Sequence, residues 1–416
     1  MPHQIGVVAQ SVEHRTENPG VGGSIPPLST KEDDFLVILF FLCNKSTKIR
    51  FLCIKAFSMK RILIVLVLFP FSLFAQIGGG STYEFVTLPY SATENAFGGN
   101  VITRTEKNLP FALKNPSLLD SSYNNECVGN WGMLHLKETG IGLGTIGYAH
   151  ALSHGMTVQG GIHFINYGVF EGYDESGTAI NNFVPAEYEI ISGLSYQLKD
   201  NIFVGTNIKP ILSYMESYSS YGLLFDAGIS YRLERSCFSI AARNIGWNIK
   251  PYTKDNREPV PYSIDLGMTQ KLEHAPVRFN ITYEDLQHFD VSEPKTKKTP
   301  SNSGIYEDDD ERKFVTYGRT FIKHFNLSTE IFFGKHITVI GGYNYRKSEE
   351  LSFGTSKQGA GLSAGFILTF SRFNISYGWA KQQAAGGRNF FTLGFNAGTI
   401  YSAYQTQAQK RKSTNL

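Results

Sequence analysis

The sequence has little of what would indicate a helical membrane protein, a disulfide scaffold or a nucleic-acid-binding protein. It has four cysteines in 416 residues, and its 39 Lys and Arg nearly balance 36 Asp and Glu. A formal net charge of +3 gives no electrostatic basis for binding nucleic acid. A hydrophobic content of 42% is lower than a protein of membrane helices would have. The apolar runs Phe35–Cys43 and Ile62–Leu73 are well short of the roughly 20 residues of a spanning helix.

Cysteine usage decides little. Cys43 and Cys53 lie in an N-terminal part that we do not assign to the mature protein. Cys127 and Cys237 remain, and they either pair after export or stay as two free thiols.

The first 58 residues differ in character from the rest of the chain. Val8–Pro27 resembles a false reading frame through a transfer-RNA gene, and Gly22–Pro26 is what the T-arm of such a gene would encode. We therefore interpret residues 1–58 as a spurious upstream extension that is not part of the mature protein. The alternative is a genuine arm that uses Phe35–Cys43 as a membrane anchor.

Residues 59–75 have the pattern of an export signal. Lys60 and Arg61 form the charged region, Ile62–Leu73 the apolar region, and Leu73–Ala75 a cleavage box before Gln76. The alternative, an uncleaved helical anchor, is disfavoured because the apolar region is too short. No cysteine stands at the cleavage point, so we do not expect a lipoprotein. The mature chain is predicted to start at Gln76 and to leave the cytoplasm.

What the sequence does have is 22 Tyr, 31 Phe, 41 Gly and a repeated two-residue alternation. Tyr221–Leu233 shows it best, since the apolar Tyr221, Leu223, Phe225, Ile229 and Tyr231 alternate with Asp226, Ser230 and Arg232. The stretch exceeds the usual 5–6 residues of a soluble strand and suits the about 9–11 residues of a membrane strand. Arg facing hydrocarbon at mid-depth would cost about 2–4 kcal/mol, so the charged face is predicted to line a lumen. We expect a charged residue at Phe225 to impair assembly and Asp226→Asn to be mild.

The same alternation recurs along the chain, with no convincing amphipathic helix between repeats. It predicts fourteen strands: Cys127–Leu136, Ile141–His150, Met156–Gly168, Glu187–Leu198, Ile202–Tyr214, Tyr221–Leu233, Cys237–Asn244, Tyr262–Leu272, Val277–Leu286, Phe325–Phe333, Ile337–Tyr345, Gly359–Phe370, Phe373–Ala380 and Asn389–Ala397.

The links between these strands follow a rhythm, because links after even-numbered strands are short and links after odd-numbered strands are often long. The long links include Val169–Ala186, Ile245–Pro261, Gln287–His324, Arg346–Gln358 and Lys381–Arg388. Short periplasmic turns and longer external loops are typical of outer-membrane barrels. A soluble exported β-sandwich would also alternate, but it explains neither this rhythm nor the long strands.

We therefore predict an all-β fold, a transmembrane outer-membrane β-barrel of about 14 antiparallel strands. Residues 127–398 form the barrel, and residues 76–126 form a small N-terminal plug or periplasmic segment. An even number of strands places both termini in the periplasm. Residues 399–416 form a basic tail, which is either a periplasmic extension or a final strand continued through Tyr401 and Tyr404.

Residues that could carry catalysis or bind a metal or a cofactor are scattered along the chain. His135, His150 and His163 lie on successive predicted strands, but histidines that face a lumen or an interface are commoner than a metal cluster. The acidic run Glu307–Glu311 lacks the spacing of a calcium loop and lies beside compensating cations. Gly140–Gly144 runs into a strand, so no helix follows to hold a phosphate. With no nucleophile elbow or zinc motif, we expect no enzyme and no catalytic, cofactor-binding or metal-binding residues.

A family resemblance is found at the start of the mature chain. Gln76–Gly79, Tyr83, Phe85, Leu88-Pro89, Ser91-Ala92 and Gly98-Gly99 resemble the mature start of the PorV/PorQ group of outer-membrane proteins, which is associated with type IX secretion. Asn115-Pro116-Ser117 resembles a motif that follows in this group and in its distant FadL-like relatives. The resemblance extends from Met59 to about Gly398.

The resemblance implies an integral protein of the outer membrane, surrounded by lipid and lipopolysaccharide. It implies a component of the type IX secretion system that holds a PorZ-like surface protein, alongside the PorU–PorV sortase that attaches cargo. External links such as Gln287–His324 are the candidate contacts. The alternative function is FadL-like transport of hydrophobic molecules across the barrel wall.

Overall fold

The computed structural model describes residues 81–103, 108–135, 140–173, 176–253, 257–287, 320–350, 359–383, 386–402 and 404–405. These residues belong to one compact unit, Ser72–Leu416. The predicted upstream extension, the signal peptide and the acidic run Glu307–Glu311 lie outside the described residues.

Fourteen of the sixteen strands in the described residues close into one antiparallel barrel, and this confirms the predicted fold class. The first and last strands pair from Glu126 opposite Asn396 to Leu134 opposite Arg388, which closes the wall. The strands are β1 (Glu126–His135), β2 (Gly140–Ala151), β3 (Met156–Asn166), β4 (Phe170–Tyr173), β5 (Ala179–Phe183), β6 (Ala186–Lys199), β7 (Ile202–Met215), β8 (Tyr218–Arg232), β9 (Ser236–Lys250), β10 (Ser263–Lys271), β11 (Val277–Tyr283), β12 (Phe325–Phe333), β13 (Ile337–Asn344), β14 (Leu362–Thr369), β15 (Phe373–Gln383) and β16 (Gly386–Asn396).

The structure differs from the predicted strands at two places. Strand β9 continues to Lys250, whereas the alternation ends at Asn244. Asn244 has a positive φ of 55°, and the β8–β9 pairing shifts register between Phe225 and Ala227. A bulge of this kind adds a residue to one strand and reverses the faces beyond it, so a strict two-residue pattern misses the continuation. Strands β4 and β5 form a separate hairpin inside the predicted link Val169–Ala186.

The two ends of the barrel differ in their links. At one end the links are short, as between β6 and β7 or between β12 and β13. At the other end, which we call the long-link end, residues 284–324 join β11 to β12 and residues 345–361 join β13 to β14. The β15–β16 link is shorter than predicted, because these strands extend to Gln383 and from Gly386.

The two faces of the wall have opposite chemistry. On β8, Ile229 and Tyr231 are 55% and 43% exposed, whereas Asp226, Ser230 and Arg232 are buried. The predicted inward and outward faces of this strand are therefore confirmed. The same division holds around the barrel, because the exposed side chains of the strands include many large apolar residues and the buried ones are mostly polar or charged.

The N-terminal residues 81–125, so far as they are described, fold as short helical turns inside the barrel, and we call them the plug. They contain α1 (Ala92–Ala96), α2 (Leu109–Lys114) and the 3₁₀ turns Glu84–Thr87, Pro116–Leu118 and Ser121–Tyr123. The Oγ of Ser91 accepts a hydrogen bond from the N–H of Glu94 at 3.1 Å and caps α1. Helix α2 ends before Pro116, which cannot continue it.

A third helix, α3 (Tyr345–Glu350), follows β13 at the long-link end. After β16, residues 397–402 and 404–405 are helical. Tyr401 and Tyr404 are therefore exposed helical residues and do not continue the last strand. None of the described helices combines the length and the hydropathy that a membrane-spanning helix requires.

Candidate functional site

The plug is bonded to the inward face of the wall around much of its circumference. Strands β6, β7, β8, β14 and β16 all take part. The bonds are Ser195 Oγ to Leu119 O (2.9 Å), Asn207 Nδ2 to Leu113 O (2.8 Å), Ser230 Oγ with Ser117 Oγ (2.6 Å), Ser363 Oγ to Ala96 O (2.8 Å) and Ala92 N to Thr392 Oγ1 (2.8 Å). Because these hydrogen bonds reach five strands, they fix the plug both around the barrel axis and along it.

Glycines in the wall give the plug the room it needs. A Cβ built on Gly205 of β7 would lie 2.5 Å from the carbonyl carbon of Pro116. A Cβ on Gly342 of β13 would lie 2.7 Å from the carbonyl carbon of Phe97. Backbone atoms cannot move aside as a flexible side chain can, so these positions accept only glycine while the plug is seated.

A buried ionic cluster centres on Lys209 of β7. Its Nζ lies 2.7 Å from Oε1 of Glu189 on β6 and 3.2 Å from Oδ2 of Asp226 on β8. It also donates to Oδ1 of Asn244 at 2.7 Å. Lys209, Glu189 and Asp226 are all almost completely buried. The hydroxyl of Tyr90 in the plug donates to Glu189, so the cluster includes both plug and wall.

The plug carries its own ion pair. Lys114 Nζ lies 2.5 Å from Oε1 of Glu94 and donates to the carbonyl oxygen of Leu88 at 2.8 Å. The second oxygen of Glu94 accepts from the N–H of Tyr90 at 2.7 Å. Both charged side chains are buried, and each neutralises the charge of the other within the plug.

Three arginines of the wall are neutralised in the same way. Arg243 pairs with Asp265 through Nε at 2.8 Å, and Arg278 pairs with Glu330 at 3.1 Å. Arg232 Nη1 lies 2.6 Å from Oδ2 of Asp120 and so joins β8 to the plug. A lumen filled by paired charges and a bonded plug is a packed interior.

Part of the boundary between plug and wall is apolar. Phe97, Phe111, Leu118 and Leu119 of the plug belong to one buried cluster. The rings of Phe97 and Phe111 lie 5.7 Å apart. The wall contributes side chains from several strands to it, namely Val128, Ala149, Cys237, Ile340 and Ile367. The plug is therefore held by apolar burial as well as by hydrogen bonds.

The residues of the family resemblance that the structure describes are those that shape and fix the plug. Asn115 Oδ1 accepts from Ser117 N at 3.2 Å and from Ser117 Oγ at 2.7 Å, and its Nδ2 donates to Ile102 O at 2.7 Å. Gly98 and Gly99 have φ of 91° and 96°, a conformation that favours glycine. The hydroxyl of Tyr83 lies 2.5 Å from Ser220 Oγ on β8.

The structure separates the candidate metal ligands. His163 is buried on the inward face, with its ring 4.1 Å from that of Tyr90 and its Nδ1 2.8 Å from Thr145 Oγ1. His150 is exposed on the outer face beside Tyr148, and the side chain of His135 lies outside the described residues. Within the described ranges, no three His, Cys, Asp or Glu side chains come together as a metal site. Cys127 and Cys237 are not joined by a disulfide bond.

The alternation of residues along the sequence did not predict the Lys209 cluster. A signal for it exists, because Lys209 stands between apolar residues in Ile208-Lys209-Pro210-Ile211 and has the inward parity of β7. Glu189 and Asp226 have the inward parity of the neighbouring strands. What the alternation cannot give is the depth of each residue, since depth depends on the register between strands.

An antiparallel barrel without free edges, apolar outside and polar inside, is the architecture of a transmembrane β-barrel of the outer membrane. Because the barrel is closed, the backbone N–H and C=O groups of each strand are paired with those of its neighbours. The exposed apolar side chains face the lipid.

No family model matches the chain, and no curated protein does. Among solved structures, the toluene transporter TodX of Pseudomonas putida is 11% identical, with 74% of this chain and 96% of TodX covered at a TM-score of 0.42. A FadL homologue of Pseudomonas aeruginosa is 8% identical, with 74% and 98% covered at 0.41. CdiB of Acinetobacter baumannii is 12% identical, with 65% and 59% covered at 0.30. At these identities the likenesses concern the fold alone.

Proposed function

We propose that the protein is a closed outer-membrane barrel that anchors a partner protein at the cell surface. The observation that carries this proposal is the plug, which is bonded to five strands and joined to the wall by buried ionic contacts. A conducting pore keeps its lumen open to water. Here many of the inward charges are neutralised by one another, so the interior is built for rigidity.

The finer assignment is a PorQ-like component of the type IX secretion system. It rests on the resemblance at the mature start and at Asn115-Pro116-Ser117. In this proposal the long-link end faces outward and both termini lie in the periplasm. A PorZ-like surface protein binds the long-link end, alongside the PorU–PorV sortase. The barrel supplies the membrane attachment, and no residue of it takes part in chemistry.

The test is affinity isolation of the tagged protein from outer membranes. The expected result is co-purification of a large surface partner, together with loss of cargo attachment when the gene is deleted. A variant whose residues 288–319 are replaced by a short Gly-Ser link should lose the partner. Replacement of the turn Gly334–His336 at the other end by Asn-Gly is the control and should retain it. Normal cargo attachment in the deletion strain would contradict the anchor.

A second function, transport of hydrophobic molecules, is favoured by the apolar cluster between plug and wall. A hydrophobic permeant could follow such a boundary if the plug side chains moved apart. TodX, with a similar barrel, is a toluene transporter. Loss of hydrocarbon or fatty-acid uptake in the deletion strain, with cargo attachment intact, would support this function and exclude the anchor.

A further inference from the structure

One buried arginine of the lumen lacks the partner that the others have. Arg388 of β16 is 3% exposed, as buried as Arg232, Arg243 and Arg278. Each of those three forms an ion pair with Asp120, Asp265 or Glu330. Among the described residues, no carboxylate forms an ion pair with the guanidinium of Arg388, and its Nε has no hydrogen-bond partner.

A second cation that forms no ion pair with a described residue lies near Arg388. Lys347 of α3 is half-buried, and its Nζ donates to the carbonyl oxygen of Gly98 at 2.6 Å. Burial and the nearby charge of Arg388 lower the pKa of Lys347 to about 8, against the opposing charge of Glu284. The plug connects the two positions. Asn95 stands three residues before Gly98 in the plug, and its Nδ2 donates to the carbonyl oxygen of Arg388 at 3.3 Å.

Two acids, Glu94 and Glu284, lie in the same neighbourhood. Glu94 gives one oxygen to Lys114 and the other to the N–H of Tyr90. Glu284 accepts from Asn344 Nδ2 at 3.0 Å and forms no ion pair within the described residues. Besides the ion pair of Arg346 with Asp285, the groups that act on one another here are three cations, Lys114, Lys347 and Arg388, and two acids, Glu94 and Glu284. A buried charge without a counter-charge is costly, so an excess cation in a packed lumen requires an anion.

We propose that Arg388 and Lys347 form a binding site for a phosphate group, just inside the long-link end of the barrel. The planar guanidinium donates two parallel N–H groups to a phosphate, and the ammonium adds a point charge. A phosphate monoester carries about −1.5 to −2 charges at neutral pH, so it matches two cations better than a single carboxylate does. The group is either inorganic phosphate or the phosphate of a glycolipid headgroup, because both present the same oxygens.

The site lies near one end of the barrel. Strand β16 begins at Gly386, next to the β15–β16 link, and α3 follows β13 directly, so both cations are at the long-link end. This inference is independent of the proposed anchor function, since a phosphate could bind in the barrel whether or not a partner protein docks on it.

Calorimetric titration of the full-length protein in detergent micelles at pH 7 with inorganic phosphate tests the site, with chloride at equal ionic strength as the reference. We expect saturable binding, weakened about tenfold or more in Arg388→Gln and several-fold in Lys347→Gln. Arg372→Gln, an exposed arginine in a turn at the opposite end, is the matched control and should bind as the parent does. Because Arg388→Gln is in the packed wall, Lys347→Gln on the half-buried helix keeps the test valid if Arg388→Gln fails to fold.

The same titration with a phosphorylated glycolipid in mixed micelles, and with its dephosphorylated form, identifies the source. Phosphate binding alone indicates a free anion, and tighter binding of the phosphorylated glycolipid indicates a headgroup. Either result supports the site. Absence of saturable binding by both ligands, or equal weakening in Arg372→Gln, would overturn it.

Discussion

Gly205 of β7 and Pro116 of the plug meet backbone to backbone, and a Cβ on Gly205 would lie 2.5 Å from the carbonyl carbon of Pro116. The contact fixes the distance between the Asn-Pro-Ser turn and the wall. Gly205→Ala should therefore displace the plug and lower the free energy of unfolding by about 1–3 kcal/mol. Denaturant unfolding in micelles measures it. Gly341→Ala, on the outer face with nothing within 4 Å of its Cβ, is the control. Equal stability of the two variants would contradict a seated plug.

Removal of Lys209 should be among the most destabilising single changes. Lys209→Met leaves Glu189 and Asp226 buried without their cation, and breaking a buried ion pair in this way costs about 3–5 kcal/mol. Thermal unfolding of the folded barrel measures the loss. Lys250→Met, at an exposed position beside Tyr221, should stay close to the parent. If the two variants have the same melting temperature, the cluster contributes little to stability.

The same cluster changes one expectation from the sequence. Asp226→Asn was expected to be mild, but Asp226 lies 3.2 Å from Lys209 and accepts from Asn207 Nδ2 at 3.0 Å and Asn244 N at 2.8 Å. The amide keeps the shape and loses the charge, so we now expect a clear loss of thermal stability. A melting temperature equal to that of the parent would restore the original expectation.

A charge on the outer face should block assembly. Phe225 lies at the middle of β8 and faces outward, with its ring 6.2 Å from that of Trp247. Phe225→Lys should cost about 2–4 kcal/mol at mid-depth in the bilayer and reduce the folded fraction. Heat-modifiable migration on gels measures that fraction. Phe225→Leu, which keeps the apolar face, should assemble normally, and a folded fraction of Phe225→Lys equal to it would contradict the lipid contact.

Removal of the plug should open the lumen. The intact protein should show no stable ion conductance in planar bilayers, because the described part of the plug fills the barrel. A variant without these residues exposes inward charges such as Lys209 and Arg243 to water and should conduct. Stable conductance of the intact protein, equal to that of the variant, would show that the plug does not close the barrel.

Lys347 should make stability depend on pH. Its pKa of about 8 in the folded protein is below the 10.5 of a free lysine, so between these values the unfolded chain binds more protons. Stability should therefore rise as pH increases from about 8 to 10.5, and this rise should be absent in Lys347→Met. Unfolding measured at several pH values tests the difference. Saturating phosphate should reduce the rise, because a bound anion favours the charged lysine.

The sequence by itself determined the wall. Strict alternation of apolar and polar residues over long strands places one face in lipid and the other in a lumen, because successive side chains of a strand point to opposite sides. Fourteen strands could be predicted for this reason. The lengths of the links between them predicted that the two ends of the barrel differ. The alternation failed at Asn244, where a bulge changes the parity.

Only the tertiary structure decided what fills the lumen. The plug has no periodicity, and its position depends on contacts between residues far apart in sequence, such as Ser117 with Ser230 and Ala92 with Thr392. Strand register decided which inward charges meet. It brings Lys209 to Glu189 and Asp226, and it leaves Arg388 without an ion pair to any described residue. Register and depth arise from closure of the whole barrel, which no single strand encodes.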